Sequence, residues 1–243
     1  SRHIVSNCAG IDTGYLTHDE NDLLRHDSNN WFAKNAEKII FRKCHDAYTF
    51  LDDGRPLAGN PELYKTIYII RNPLSVVSSL ANHNSCSIDK AIEIMNNENH
   101  TLSNKTKKYD SQLRQKVLCW SGHVLSWIEQ KNLELITMKY EDLHIKPLEV
   151  LREAFYFAGL NNTDTEIIEA IEKSKFEKLS KKEDEKGFRE TPVKTEKFFR
   201  KGSAESWKEE LTCEQASLIV KKHWQVMERF GYLTEEVKNM VDY

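Results

Sequence analysis

The segment Ile67-Tyr68-Ile69-Ile70-Arg71-Asn72-Pro73 constrains the fold of this chain more than any other. A short, largely β-branched apolar run predicts a buried strand, and this one stops abruptly at Arg71. Asn72 suits a helix N-cap and Pro73 suits a first helical turn, and a helical pattern follows from Pro73 to Asn82. Two further apolar runs, Ile39-Ile40-Phe41 and Leu133 to Met138, also predict strands. Helical patterns cover Asp19 to Glu37, Ser87 to Met95, Leu113 to Glu129 with Trp120 and Trp127 on one face, and Thr165 to Ile171. Leu148 to Ala158 and Cys213 to Phe230 are also helical, and Gly159 and Gly231 are placed to end them. Strands alternating with helices predict an α/β protein, a central parallel sheet flanked by helices on both sides. Ligands of such sheets bind where strands end at their carboxyl termini.

At 243 residues the chain is long enough for one substantial domain with a buried core. Its net charge of −3 gives no general attraction for nucleic acid or an anionic membrane, so any anion site must be local. No apolar run approaches the ~20 residues of a membrane span, and Ser1-Arg2-His3 does not open a secretory signal. The cysteines, Cys8, Cys44, Cys86, Cys119 and Cys213, are odd in number, scattered and without a CxxC pair. They predict free thiols in a reducing compartment, hence a cytoplasmic location, rather than disulfides or a zinc site. The histidines form no HExxH or Cys/His cluster, so no metal is expected. Two polar stretches, Asn96 to Asp110 and Ser180 to Lys197, fit either solvated loops or lids.

Three segments could carry chemistry. At the first, Arg71 places a forked cation beside the free N–H groups and dipole of a helix start, an arrangement suited to phosphate. Ser75 and Ser79, one turn apart, could add hydroxyls; an ordinary strand-to-helix junction with Arg71 in a surface ion pair has the same pattern. The second is Phe41-Arg42-Lys43-Cys44-His45-Asp46. His45 at a strand end could act as general base, and Lys43, two residues earlier, projects to the same side. A hydrogen-bonded structural histidine is the other reading. The third is Phe198-Phe199-Arg200-Lys201-Gly202, two cations and a glycine that permits close backbone approach, with a ring to stack on a base. A basic loop anchored by aromatics fits equally.

These segments occur in the same order in the cytosolic-type sulfotransferases, and the chain resembles that family from about Lys43 to Lys208. The resemblance implies that Arg71, Ser79, Arg200, Lys201 and Gly202 hold the 3′-phosphate of 3′-phosphoadenosine 5′-phosphosulfate (PAPS). Phe199 lies in the same FxRKG-like motif. Lys43-Cys44-His45 resembles the family's Lys-x-His, in which the histidine is the base and the lysine lies near the sulfuryl group. Tyr140-Glu141-Asp142-Leu143 resembles a segment whose tyrosine reaches the adenine. Ser174-Lys175-Phe176 resembles one that supplies a hydroxyl and a ring beside the base. Cys86 to Ile92 gives the chain the look of the bacterial branch.

Two features depart from the family pattern. Its PKSGTTW-like 5′-phosphosulfate loop has no counterpart in Ser1 to Ala36, and Glu205-Ser206-Trp207-Lys208 stands where Gly-Asp-Trp-Lys is common. The expectation is a single sulfotransferase domain over residues 1–243, lacking its first strand and helix. Its function would be metal-free transfer of a sulfuryl group to a hydroxyl or amine of a small-molecule or glycan acceptor, with adenosine 3′,5′-bisphosphate as product. His45 would be the base and Lys43 would steady charge on the sulfuryl oxygens. The alternative is a non-catalytic nucleotide-binding relative that keeps the 3′-phosphate site without the donor loop. A kinase would want a Mg²⁺ carboxylate and a Gly-rich Lys-Ser/Thr loop, and neither is evident. Nothing in the residues fixes the acceptor or the oligomeric state.

Overall fold

The computed structural model describes residues 16–104, 113–188 and 205–241. They fall into two compact units: Ser1–Thr66 with Asn97–Leu135, and Ile67–Asn96 with Ile136–Tyr243.

The first unit starts with helix α1 (His18–Lys34). A capping box fixes its start: Thr17 Oγ1 accepts the Glu20 N–H, and Glu20 Oε2 accepts the Thr17 N–H at 2.7 Å. The face that α1 buries is polar, Asn21, Asp22, His26 and Ser28, while Leu23 and Trp31 are exposed. Partners make this burial tolerable. The His26 ring donates from Nδ1 to the Pro56 carbonyl at 2.7 Å and accepts at Nε2 from Asn30 at 2.9 Å. Asn30 Oδ1 in turn accepts the Asn60 N–H at 2.7 Å. Gly59 has φ +97°, and a Cβ there would meet Asn30 Oδ1 at 2.8 Å, so this close approach needs glycine.

The strand expected at Ile39-Ile40-Phe41 does not form. These residues are irregular and 50%, 45% and 62% exposed, and no described strand pairs with them. Strand-forming side chains make a strand only where a neighbour supplies the ladder. The long helix expected from Leu113 is also shorter. β2 (Thr101–Leu102) and β3 (Gln115–Lys116) pair antiparallel, Thr101 opposite Lys116. Leu118 then takes a left-handed φ of 62°, and helix α4 (Trp120–Ile128) starts only after the Cys119 cap.

In the second unit, β1 (Thr66–Ile70) and β4 (Leu135–Lys139) are hydrogen-bonded neighbours in a parallel sheet. Between them in the chain come α2 (Pro73–Asn84) and α3 (Ile88–Asn96). After β4 follow α5 (Tyr140–Ile145), α6 (Pro147–Phe157), α7 (Asp164–Lys173), α8 (Phe176–Lys186), α9 (Trp207–Glu210), α10 (Cys213–Arg229) and α11 (Glu235–Met240). Helix α10 packs on α2 and α3 around Leu74, Val77, Ala91, Ile92, Ile219, Val220 and Met227, all buried. A second cluster joins Met138, Ile136 and Ile67 of the strands to Leu143, Val150, Leu151 and Ala154 of α5 and α6. This is the helix-flanked parallel sheet that the alternation of patterns predicts. The stretch from Ser180, dense in Lys and Glu, begins as helix and not as a loop: it belongs to α8 as far as Lys186.

Candidate nucleotide and catalytic site

The carboxyl ends of β1 and β4 bring together Arg71, Ser79 and Tyr140. Asn72 caps α2 as expected, its Oδ1 accepting the Leu74 N–H at 3.0 Å with Pro73 next in the chain. This turn carries Arg71 from the strand end over the first turns of the helix. Its Nη1 donates to Ser79 Oγ at 3.3 Å, and its guanidinium lies 4.3 Å from the centre of the Tyr140 ring. Tyr140, the first residue after β4, also meets His144 edge-on at 4.8 Å. Ser79 is exposed whereas Ser75 is buried, so only Ser79 offers its hydroxyl at the surface.

Glu141 ties the two strand ends together. Its Oε1 accepts the Asn72 backbone N–H at 2.9 Å, and its Oε2 accepts the Tyr232 hydroxyl at 2.9 Å. Burial and this carboxylate push the Tyr232 phenol up, so it stays protonated and donates. Lys139 Nζ stands 5.3 Å from the Tyr232 ring centre. Sequence patterns single out neither Glu141 nor Tyr232. An acidic residue in a first helical turn is common without any further role, and Tyr232 is remote in sequence.

Ser174 caps the end of α7, and its hydroxyl donates to the Ala170 and Ile171 carbonyls at 2.8 and 3.1 Å. Phe176 opens α8 and is half-buried. Phe199, Arg200, Lys201 and Gly202 lie outside the described residues.

His45 and Lys43 belong to the first unit, in an exposed irregular stretch rather than at a strand end. The residue after His45 is firmly fixed. Asp46, 6% exposed, receives Arg25 at 2.6 and 3.3 Å and the Lys116 N–H at 3.0 Å on its carboxylate. The Asp46 carbonyl accepts the Trp127 indole N–H at 3.0 Å, and the His45 carbonyl accepts His123 Nε2–H at 3.3 Å. Burial holds the His123 imidazole below its ordinary value, so the ring is neutral while it donates. Among the described residues no His/Cys/Asp/Glu group is arranged to hold a metal ion, and no helix is long and apolar enough to cross a membrane.

The family model described as the sulfotransferase domain matches residues 60–231, a stretch that includes Arg71, Ser79, Tyr140, Ser174 and Phe176 and begins after His45. No curated protein sequence matches the chain. Among solved structures, mouse sulfotransferase SULT7A1 complexed with PAP is 18% identical with a TM-score of 0.49, over 72% of this chain and 61% of that one. Retinol dehydratase in complex with androsterone and inactive cofactor PAP is 17% identical with a TM-score of 0.50, over 68% of this chain and 48% of that one. The chain thus spans less than two thirds of the length of either, and the second likeness speaks for a shared fold. With a family match over more than half of its residues, the chain belongs to the sulfotransferase family.

Proposed function

We propose that the protein transfers a sulfuryl group from PAPS to a hydroxyl or amine of a small-molecule or glycan acceptor. The observation that carries this reading is the meeting of Arg71, Ser79 and Tyr140 where β1 and β4 end. A guanidinium, a hydroxyl and the start of α2 form a donor set matched to a phosphate dianion, and Tyr140 adds a ring for a flat base. Retinol dehydratase, which shares the fold, is in complex with inactive cofactor PAP.

The nucleotide supplies the activated sulfuryl group; the protein binds, orients and moves a proton. Arg71 and Ser79 hold the 3′-phosphate, a role shared by Arg200, Lys201 and Gly202, and Phe199 supplies a ring to stack on the base. Tyr140, Ser174 and Phe176 serve the adenine. His45 takes the acceptor's proton as general base, and Lys43 neutralises charge developing on the sulfuryl oxygens. The work is positioning and electrostatic stabilisation, as in phosphoryl transfer.

The test is transfer of labelled sulfuryl from PAPS to a panel of phenols, alcohols, amines and glycans, with ATP and adenosine 3′,5′-bisphosphate as competitors. The reading expects product inhibition by the bisphosphate and weak competition by ATP. Tighter binding of ATP than of the bisphosphate would overturn it.

A further inference from the structure

The segment around His45 raises a question of order. A base must be held within a fraction of an ångström to work, since a misplacement of about 1 Å can cost about 100-fold in rate. Yet residues 37–45 are exposed and have no strand register to fix them. Arg42 reaches Asn29 Oδ1 at 2.9 Å and the His45 carbonyl accepts His123 Nε2–H at 3.3 Å, and the next residue, Asp46, is the first one buried.

Asp46 is where the chain is held most firmly. Buried charge is costly unless paired and hydrogen-bonded, and here the pairing extends from Asp46 through four further side chains. Arg25 grips Asp46 with two nitrogens, reaches Asp22 at 3.3 Å and donates to the Arg114 carbonyl at 3.0 Å. Arg114 in turn bonds Asp22 and, at 2.6 Å, Asp19. Backbone bonds hold the following residues: Ala47 N–H to the Lys116 carbonyl at 2.7 Å, and Tyr48 N–H to Ser126 Oγ at 2.9 Å. Elements α1, β3 and α4 thus converge on residues 46–48. An apolar side chain at 46 would take this acceptor from the Arg25 guanidinium and from the Lys116 N–H, and would bring no directional contact in exchange. A carboxylate that must meet one guanidinium and one backbone N–H has a single position, and this is the best-attested use of a buried ionic group.

We propose that Asp46, clamped by Arg25, is a positioning residue for His45. It sets the backbone from which the imidazole projects, a task that strand pairing does not perform in this chain. This rests on the reading of His45 as general base.

The experiment uses the near-isosteric Asp46→Asn, which keeps an acceptor for Lys116 N–H but turns an amide toward Arg25. It also uses Arg25→Lys, which keeps the charge and loses the fork. Both are examined with turnover, bisphosphate affinity and the ¹H–¹⁵N ring spectrum of His45, assigned by its loss in His45→Gln. The expected result is a folded protein with bisphosphate affinity within about twofold of wild type and kcat lowered about 10- to 100-fold. The His45 ring signal should move toward that of free histidine or broaden. If Asp46→Asn does not fold, Arg25→Lys is judged by the same criteria. Unchanged kcat and an unchanged His45 signal in a folded variant would overturn the proposal. Full turnover in His45→Ala would instead overturn the general-base reading, and the ring spectra would still decide whether Asp46 orders residue 45.

Discussion

His223 offers a stability prediction whose size follows from its surroundings. It lies on α10 where that helix packs against α3, is 1% exposed, and its Nε2–H donates to Asn96 Oδ1 at 2.9 Å. Burial first, and the Lys222 charge second, lower its pKa from 6.5 to about 4. The unfolded chain therefore takes up this proton at a higher pH than the folded one does. Stability is complete above about pH 6.5, declines as pH falls toward 4, and levels off below. Excluding this proton from the folded state is worth about 3 kcal/mol at full development, and about 2 kcal/mol has been lost by pH 5. The assay is urea unfolding between pH 4 and 8 for the wild type and for His223→Gln, whose amide can still reach Asn96. The variant should have a shallower acid-side slope between pH 7 and 5 than the wild type, and His100 and His123, whose protonation burial also disfavours, account for slope that remains. A variant with the same slope as the wild type would refute the reasoning, as would a His223 ring signal titrating near 6.5.

Three other outcomes follow from the same structure. Glu141→Ala leaves the Asn72 N–H and the Tyr232 hydroxyl without their shared acceptor and should cost about 1–3 kcal/mol; an unchanged melting temperature in scanning calorimetry would contradict the contact. His45→Ala should lower kcat by ~10² to 10⁴ while bisphosphate affinity stays within a few fold, read by steady-state kinetics and calorimetry. Thr212→Ala removes the side chain that caps the Gln215 N–H at the start of α10, and denaturant melts should show a loss of about 1 kcal/mol.

Local chemistry made much of the second unit legible in the sequence. The apolar run 67–70, the Asn72-Pro73 start and the glycines at 159 and 231 each specify a backbone conformation, and strand, helix and chain reversals follow. The first unit was harder, because its order comes from distant polar partners. Helix α1 turns Asp22 and His26 inward, a pattern that no search for apolar periodicity detects. Ile39-Ile40-Phe41 has strand-forming side chains, but sequence alone does not reveal whether a neighbouring strand is in place. Gln115 and Lys116 look helical by spacing, but they pair with Thr101 and Leu102 instead. At the site, Arg71 was legible because it ends a strand and precedes a cap. The clamp that Glu141 forms between Asn72 and Tyr232, and the one that Arg25 forms on Asp46, depend on contacts across long sequence separations.

The nucleotide assignment rests most directly on the side chain of Arg71, which joins Ser79 and Tyr140 at the strand ends. The decisive measurement is calorimetric titration of wild-type protein and Arg71→Ala with adenosine 3′,5′-bisphosphate, with thermal melts to verify folding. A hydrogen bond to a charged group is worth about 1.5–3 kcal/mol, so the variant should bind about 10- to 100-fold more weakly. Equal affinity in the two proteins would contradict the assignment of the 3′-phosphate to Arg71.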